Sequence, residues 1–215
     1  LAVLTAFELV PAVFVGTSRG GLLTMRLATE RPSAIAGVIL NDIGPVIELK
    51  GLLRIKSYVG RLPQPQNFEE AAQVLRRLFG TQFPKLTADD WVAFARRSFE
   101  ERPSFPASSR AGSRGLVASY DPNITKALDG IDAQAPVPPL WHQFDALAKR
   151  PVMVIRGTNS DVLSAACVAA MAARRPDLES LEVPDQGHAP LLSEDDVIGR
   201  ISTFVARCET GLRNL

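Results

Sequence analysis

Apolar residues in the first part of the chain form two kinds of pattern. AVFVG at residues 12–16 is a short continuous apolar run that ends at glycine, which is typical of a strand buried on both faces. Residues 20–30 carry apolar side chains at helical spacing and stop before Pro32, which cannot continue a helix. IAGVILND at residues 35–42 indicates a second buried strand. Strand, helix and strand in this order predict a parallel βαβ unit.

The pattern changes between residues 43 and 140, where helical spacing appears without strands. Amphipathic helices are predicted at residues 67–80, closed by Gly80, and at residues 87–99, opened by the capping pair Thr87 and Asp90. Segments rich in proline, serine and glycine connect them, and residues 102–115 are the best candidate for a disordered loop. We therefore expect an all-helical insertion.

The α/β pattern returns after residue 140, with strands predicted at residues 151–157 and 178–184 and helices between and after them. The fold class is therefore α/β, a mostly parallel sheet flanked by helices with an inserted helical segment. The predicted organisation is core at 1–42, insertion at 43–140 and core again at 141–215.

Composition narrows the choice of partners. The 24 basic and 23 acidic residues nearly cancel, and no long block of one sign occurs, so nucleic acid and anionic membranes are not expected partners. Two distant cysteines, Cys167 and Cys208, do not make a disulfide framework and fit a reducing compartment such as the cytoplasm. The apolar N-terminal stretch is interrupted by Glu8 and Pro11, which argues against a spanning helix or a secretory signal. We expect a small-molecule substrate and neither a metal nor a cofactor.

Ser18 stands in Gly16-Thr17-Ser18-Arg19-Gly20, which fits the G-x-S-x-G pattern. The predicted strand before it and helix after it would place the serine on a tight turn, where glycines allow strand and helix to approach closely. The helix N-terminus, and the Arg19 N–H in particular, would lie where an oxyanion forms. Ser18 is therefore a candidate nucleophile, against the alternative of an ordinary turn residue.

A serine nucleophile needs a base, and the chain has two histidines. His142 falls inside a predicted helix beside Trp141 and Phe144, which favours a structural role. His188 follows a predicted strand in VPDQGHAPLL, so its loop leaves the same end of the parallel sheet as the Ser18 turn. His188 is therefore the candidate base.

Three aspartates could orient His188. Asp161 follows the preceding strand in VIRGTNSDVLS and completes the order Ser, Asp, His, so it is the preferred acid. Asp42 ends the strand after the serine turn and is the alternative acid, with a purely structural turn role also open. Asp185 lies only three residues before His188 and fits a turn residue better.

GTSRGG, RGTNSD and QGHAP, in this order, resemble the nucleophile, acid and histidine loops of the α/β-hydrolase fold superfamily. NDIGP, YDPNI and LWHQFDAL look most like its bacterial esterase and enol-lactonase group. The resemblance covers nearly the whole chain. It implies a hydrolase core whose helical insertion is a cap over the active site. Trp91, Phe94 and Trp141 are candidate pocket residues, with packing in the core of the cap as the alternative for each.

The sequence departs from this family at its beginning, because the strands and the second oxyanion loop that normally come first would precede Leu1. We therefore expect a fragment whose AVFVG strand is an unpaired apolar edge, open to association with another chain or to homodimerisation. With one oxyanion donor missing, such a chain is expected to be about a hundred- to a thousandfold less active than a complete site.

The resemblance implies a serine hydrolase of carboxylic esters or lactones that acts through Ser18, Asp161 and His188. Two alternatives remain open from the residues. The same triad could cleave a carbon–carbon bond, or the fold could bind a small molecule without catalysis.

Overall fold

The computed structural model describes residues 2–101, 115–132 and 137–213. The chain divides into a larger unit, Leu1–Leu52 with Ala133–Leu215, and a smaller unit, Leu53–Asp132. The domain limits predicted at residues 42 and 140 stay a prediction, as does the role of the smaller unit as a cap. Except for residue 115, the loop predicted to be disordered lies outside the described residues.

The larger unit is built on a parallel sheet. Its strands are β1 (Ala12–Thr17), β2 (Ile35–Asn41), β5 (Val152–Gly157) and β6 (Glu179–Val183), hydrogen-bonded in the order β1-β2-β5-β6. The helices of this unit are α1 (Ala2–Ala6), α2 (Arg19–Glu30), α6 (Trp141–Asp145), α7 (Ala165–Arg174) and α8 (Asp195–Arg213), with a 3-10 turn at Pro32–Ala34. Helix α3 (Leu49–Tyr58) contains the division between the two units. The predicted α/β class is confirmed.

The burial of each strand explains its sequence pattern. Every residue of β2 is buried, as its continuous apolar run predicts, because β1 and β5 pair with its two edges and helices pack on the sheet. Ile39, Met153 and Ile155 form the centre of one core cluster together with Phe204 of α8. Burying large aliphatic and aromatic side chains of this kind contributes roughly 1.5–3 kcal/mol each.

Strand β1 lies at one end of the strand order and pairs, within the described residues, with β2 alone. The Val15 side chain is 51% exposed although it is aliphatic. The predicted apolar edge is therefore confirmed for the part of the chain that the structure describes.

Strand register determines which polar residues meet at the carboxyl end of the sheet. Thr17 of β1 pairs with Asn41 of β2, and Asn41 pairs with Ile155 of β5. The residues that follow Thr17 and Asn41, Ser18 and Asp42, therefore emerge side by side from adjacent strands.

The smaller unit contains α4 (Phe68–Phe79), α5 (Ala88–Ser98), β3 (Phe99–Glu101), β4 (Leu116–Ala118) and a 3-10 helix at Pro122–Leu128. The two amphipathic helices and the capping box between Thr87 and Asp90 are confirmed. The prediction of an all-helical insertion is wrong, because β3 and β4 pair antiparallel and bury Phe99 and Leu116. Three-residue strands are too short to show the alternation by which strands are recognised.

The packing of the turn from β1 to α2 predicts different effects on stability for alanine at Gly16 and at Gly20. A Cβ at Gly16 would lie 2.6 Å from both N and Cα of Gly21, whereas a Cβ at Gly20 would meet nothing within 4 Å. We expect Gly16→Ala to lower the free energy of unfolding by about 3 kcal/mol, because backbone must move apart. Gly20→Ala should change it by less than about 1 kcal/mol, since alanine favours the helix. Chemical denaturation of both variants measures the difference, and equal losses would contradict this account of the turn.

Candidate active site

Ser18 occupies the strained turn that its sequence pattern predicts. Its backbone has φ 50° and ψ −117°, a left-handed value of φ that is uncommon for a residue other than glycine. The Ser18 N–H donates to the Asn41 carbonyl at 3.0 Å, while the Ser18 carbonyl accepts from the Gly21 N–H at 2.9 Å. Both ends of the turn are therefore held, one by the neighbouring strand and the other by the first turn of α2.

The close contact of Gly16 with Gly21 brings the N-terminus of α2 directly behind Ser18. The first N–H groups of a helix lack partners one turn earlier and carry a partial positive charge. Arg19 is the first residue of α2. Its N–H therefore belongs to the helix terminus that adjoins the serine, as the sequence predicts.

His188 lies in the loop between β6 and α8, and this loop is tied to the loop after β5. Between the two loops, the Asn159 N–H donates to the Gln186 carbonyl at 2.9 Å. Within the histidine loop, the Leu191 N–H donates to Gln186 Oε1 at 2.8 Å. A Cβ at Gly157 would lie 2.3 Å from the Gln186 carbonyl oxygen. Only a glycine at position 157 therefore lets the histidine loop pass this close to the end of β5.

Asn41 joins three parts of the site through one side chain. Its buried Nδ2 donates to the Pro190 carbonyl at 3.0 Å and to Thr17 Oγ1 at 3.1 Å. The ends of β1 and β2 and the histidine loop are thus held together directly beneath Ser18.

Ser18, His188 and Asp42 form one continuous chain of hydrogen bonds. Ser18 Oγ lies 2.8 Å from His188 Nε2, and His188 Nδ1 lies 2.8 Å from Asp42 Oδ2. Because a carboxylate only accepts, Nδ1 carries the proton and Nε2 of a neutral imidazole is left to accept from the Ser18 hydroxyl. The Asp42 side chain is fully buried and that of His188 is 6% exposed, so the bond between them is largely shielded from bulk water.

Asp42 is supported by two more donors. The Gly157 N–H donates to Oδ1 at 2.9 Å, and the Ser160 hydroxyl donates to Oδ2 at 2.5 Å. The Asp42 backbone has φ 55°, a conformation that aspartate tolerates better than most residues. A buried carboxylate needs such partners, because an unpaired charge is strongly disfavoured away from water.

The structure corrects the prediction that Asp161 is the preferred acid. Asp42 rather than Asp161 accepts from His188, because Asp42 directly follows the strand beside β1 and emerges next to Ser18. Asp161 lies four residues beyond the end of β5, and its carbonyl oxygen lies 2.4 Å from where a Cβ of Gly51 would stand. Chain order could not separate the two, since both aspartates lie between Ser18 and His188.

The other rejected candidates lie where the sequence suggests. Asp185 has φ 58° in the turn after β6, and its N–H donates to Thr158 Oγ1 at 3.0 Å. His142 is exposed on α6.

Ser160 and Gly157 are site residues that the sequence analysis missed. Ser160 immediately precedes Asp161 in GTNSD, so the expected acid loop does reach the site, but with its serine. The signal in the sequence that could have indicated Ser160 was its position directly before Asp161, the aspartate predicted to be the acid.

The three aromatic residues predicted to line a pocket are packed within their own units. In the smaller unit, Trp91 is 3% exposed and stacks on Phe94 at 6.0 Å between ring centroids, with Phe83 against both rings. In the larger unit, Trp141 packs on Phe144, and the Arg174 guanidinium lies 4.3 Å from its ring centroid. These contacts show that all three rings pack within their units, and a role for them in lining a substrate pocket stays a prediction.

Residues 2–101, 115–132 and 137–213 contain no group of three or more histidine, cysteine or acidic side chains that could hold a metal ion. Over the same residues, no helix is long and apolar enough to cross a membrane.

Residues 1–200 match the model of a family described as the alpha/beta hydrolase family. The chain belongs to this family. A crystal structure of an alpha/beta hydrolase from Novosphingobium aromaticivorans DSM 12444 is 37% identical and superposes with a TM-score of 0.81, covering 96% of this chain and 69% of that one. The predicted recognition and fold are thereby confirmed.

Curated relatives of this hydrolase-family chain include two named hydrolases. The 3-hydroxybutyrate-oligomer hydrolase of Cupriavidus necator is 34% identical over 81% of this chain and 58% of its own length. The 2-(acetamidomethylene)succinate hydrolase of Mesorhizobium japonicum is 28% identical over 82% of this chain and 57% of its own length. The chain thus spans less than two thirds of these relatives.

The reactivity of the two thiols tests whether a cysteine could be the nucleophile in place of Ser18. Cys167 and Cys208 are both buried, and burial raises the pKa of each thiol. A raised pKa leaves less thiolate at neutral pH, and the thiolate is the reactive form. We expect the native protein to react slowly with iodoacetamide at pH 7.5 and the urea-unfolded protein to react rapidly at both cysteines, as measured by mass spectrometry. Rapid alkylation of the native protein would show that a thiol is accessible.

Proposed function

We propose that this chain carries the catalytic triad of a serine hydrolase that cleaves carboxylic esters, with Ser18 as nucleophile, His188 as base and Asp42 as acid. The observation that supports this most directly is the unbroken chain of hydrogen bonds from Ser18 Oγ through both ring nitrogens of His188 to Asp42. Membership of the alpha/beta hydrolase family supports the same reaction class.

In the first half of the reaction, the Ser18 hydroxyl attacks the ester carbonyl while His188 Nε2 takes its proton. The carbonyl oxygen becomes an oxyanion, which the Arg19 N–H at the N-terminus of α2 is positioned to stabilise. His188 then gives the proton to the departing alkoxide, which leaves as an alcohol. The product on the protein is an acyl ester of Ser18.

In the second half, a water molecule replaces the alcohol. His188 takes a proton from this water as it attacks the acyl ester, and returns the proton to Ser18 Oγ when the carboxylic acid leaves. Asp42 stabilises the imidazolium that exists in both halves, since its buried carboxylate keeps Nδ1 protonated. The cycle needs no cofactor.

The substrate class is proposed from the relative in Cupriavidus necator, whose name specifies oligomers of 3-hydroxybutyrate. Such oligomers are linked by ester bonds and end in a carboxylate. Ser18 is partly exposed and the Arg19 side chain beside it is exposed, so a substrate carboxylate could approach a positive charge there. We therefore propose short hydroxyacid esters as the first substrates to test.

The first test concerns Ser18 itself. We expect a fluorophosphonate probe to label the protein at Ser18 and the protein to release monomer from 3-hydroxybutyrate dimers and trimers. Ser18→Ala should abolish both, because it removes the hydroxyl that lies 2.8 Å from His188 Nε2. Peptide mapping of the labelled protein and chromatography of the products measure this. A folded parent protein that is neither labelled nor active would instead support a non-catalytic binding role.

The second test concerns the acid. Asp42→Asn should slow labelling of Ser18 by about a thousandfold or more, because an amide can donate to Nδ1 and favour the wrong tautomer. Asp161→Asn is the matched control and should label at close to the parent rate. Circular dichroism of both variants verifies folding. If Asp161→Asn slowed labelling and Asp42→Asn did not, the acid would be Asp161 after all.

A further inference from the structure

We infer that Ser160 is a positioning residue for this reaction, which fixes the Asp42 carboxylate in the orientation that His188 requires. The inference rests on the proposed function. It adds a fourth side chain to the site, contributed by the loop after β5.

Ser160 contacts Asp42 directly, at the same carboxylate oxygen that accepts from His188. Ser160 Oγ lies 2.5 Å from Asp42 Oδ2, and the same Oδ2 accepts from His188 Nδ1 at 2.8 Å. Hydrogen bonds to ionised groups are the short and strong ones, and this distance falls at the short end of their range.

The direction of the Ser160 hydroxyl is determined by its other partners. The Val162 N–H and the Leu163 N–H both donate to Ser160 Oγ, at 3.2 and 3.0 Å. A hydroxyl has one proton and two acceptor lone pairs, so these two bonds occupy its accepting capacity. Its single proton is left for Asp42.

The carboxylate needs this second donor because its last torsion is soft. Rotation about the bond to a carboxylate is broad and roughly two-fold rather than staggered. Without Ser160, Asp42 would keep the Gly157 N–H bond to Oδ1, at 2.9 Å, and the His188 bond. The Gly157 bond holds Oδ1, whereas the Ser160 bond holds Oδ2, the oxygen that accepts from His188.

The burial of Asp42 increases the expected loss of activity when the Ser160 hydroxyl is removed. Asp42 is fully buried, so bulk water does not compensate freely for a lost donor. Deletion of a side chain that orients a functional group in this way typically costs about ten- to a hundredfold in activity, as measured for supporting residues of metal sites.

Ser164 provides the control for a purely structural role. It lies in the same segment, and its Oγ accepts from the Cys167 N–H at 3.3 Å as the cap of α7. Ser160 and Ser164 both satisfy backbone N–H groups, but only Ser160 has a hydrogen bond to Asp42 in the structure. Their alanine variants therefore separate loss of a cap from loss of the Asp42 contact.

The experiment compares the parent protein with Ser160→Ala, Ser160→Thr, Ser160→Val and Ser164→Ala. The readouts are kcat and KM on a 3-hydroxybutyrate trimer, the rate of fluorophosphonate labelling at Ser18, and the far-downfield proton NMR resonance of the His188 Nδ1–H. Threonine and valine have nearly the same shape and differ in the hydroxyl, so this pair remains informative if the alanine variant fails to fold.

We expect Ser160→Ala and Ser160→Val to lower kcat and the labelling rate by about ten- to a hundredfold, with little change in KM, and to shift or broaden the Nδ1–H resonance. Ser160→Thr should restore most of the activity. Ser164→Ala should lower the melting temperature and leave kcat and the resonance unchanged.

Two results would overturn the inference while leaving the proposed function intact. Ser160→Val could match Ser160→Thr in kcat and in the resonance, or Ser164→Ala could lose as much activity as Ser160→Ala. A parent protein that neither hydrolyses esters nor labels at Ser18 would overturn the proposed function and this inference together.

Discussion

The candidate site depends on one buried carboxylate, that of Asp42, having hydrogen-bond donors on both of its oxygens. Asp42 is fully buried, and its charge is tolerated because three groups donate to it: the Gly157 N–H, the Ser160 hydroxyl and His188 Nδ1. These donors come from the end of β5, from the loop that follows and from the loop before α8. Each of these segments must be in place for the carboxylate to be satisfied, so the acid also helps to hold its surroundings together.

The framework of this site is predictable from sequence because it follows from strong local signals. The continuous apolar runs of β1 and β2, the small residues around Ser18 and the helical spacing after it all predict the same turn, and the structure contains it. His188 likewise follows from the position of its loop after a strand. These features depend on backbone geometry, which a short stretch of sequence already constrains.

The choice of acid was harder to predict, because it depends on the register of strands that are distant in sequence. Asp42 and Asp161 both follow buried strands and both precede His188. What separates them is that Asn41 pairs with Thr17, which places Asp42 beside Ser18. Sequence periodicity identifies strands but gives little information on which residues pair. The short strands β3 and β4 were missed for a related reason, since three residues are too few to show a period.

The long sequence separations within the site have a consequence for biosynthesis. His188 lies 170 residues after Ser18 and 146 after Asp42, and the Asn41 bond to Pro190 spans 149 residues. Contacts of such high contact order form late, because a long loop must close before they contribute stability. A nascent chain exposes Ser18 early but has no base for it until the segment after β6 has been synthesised and docked. The reactive serine is thus generated together with the folded larger unit rather than before it.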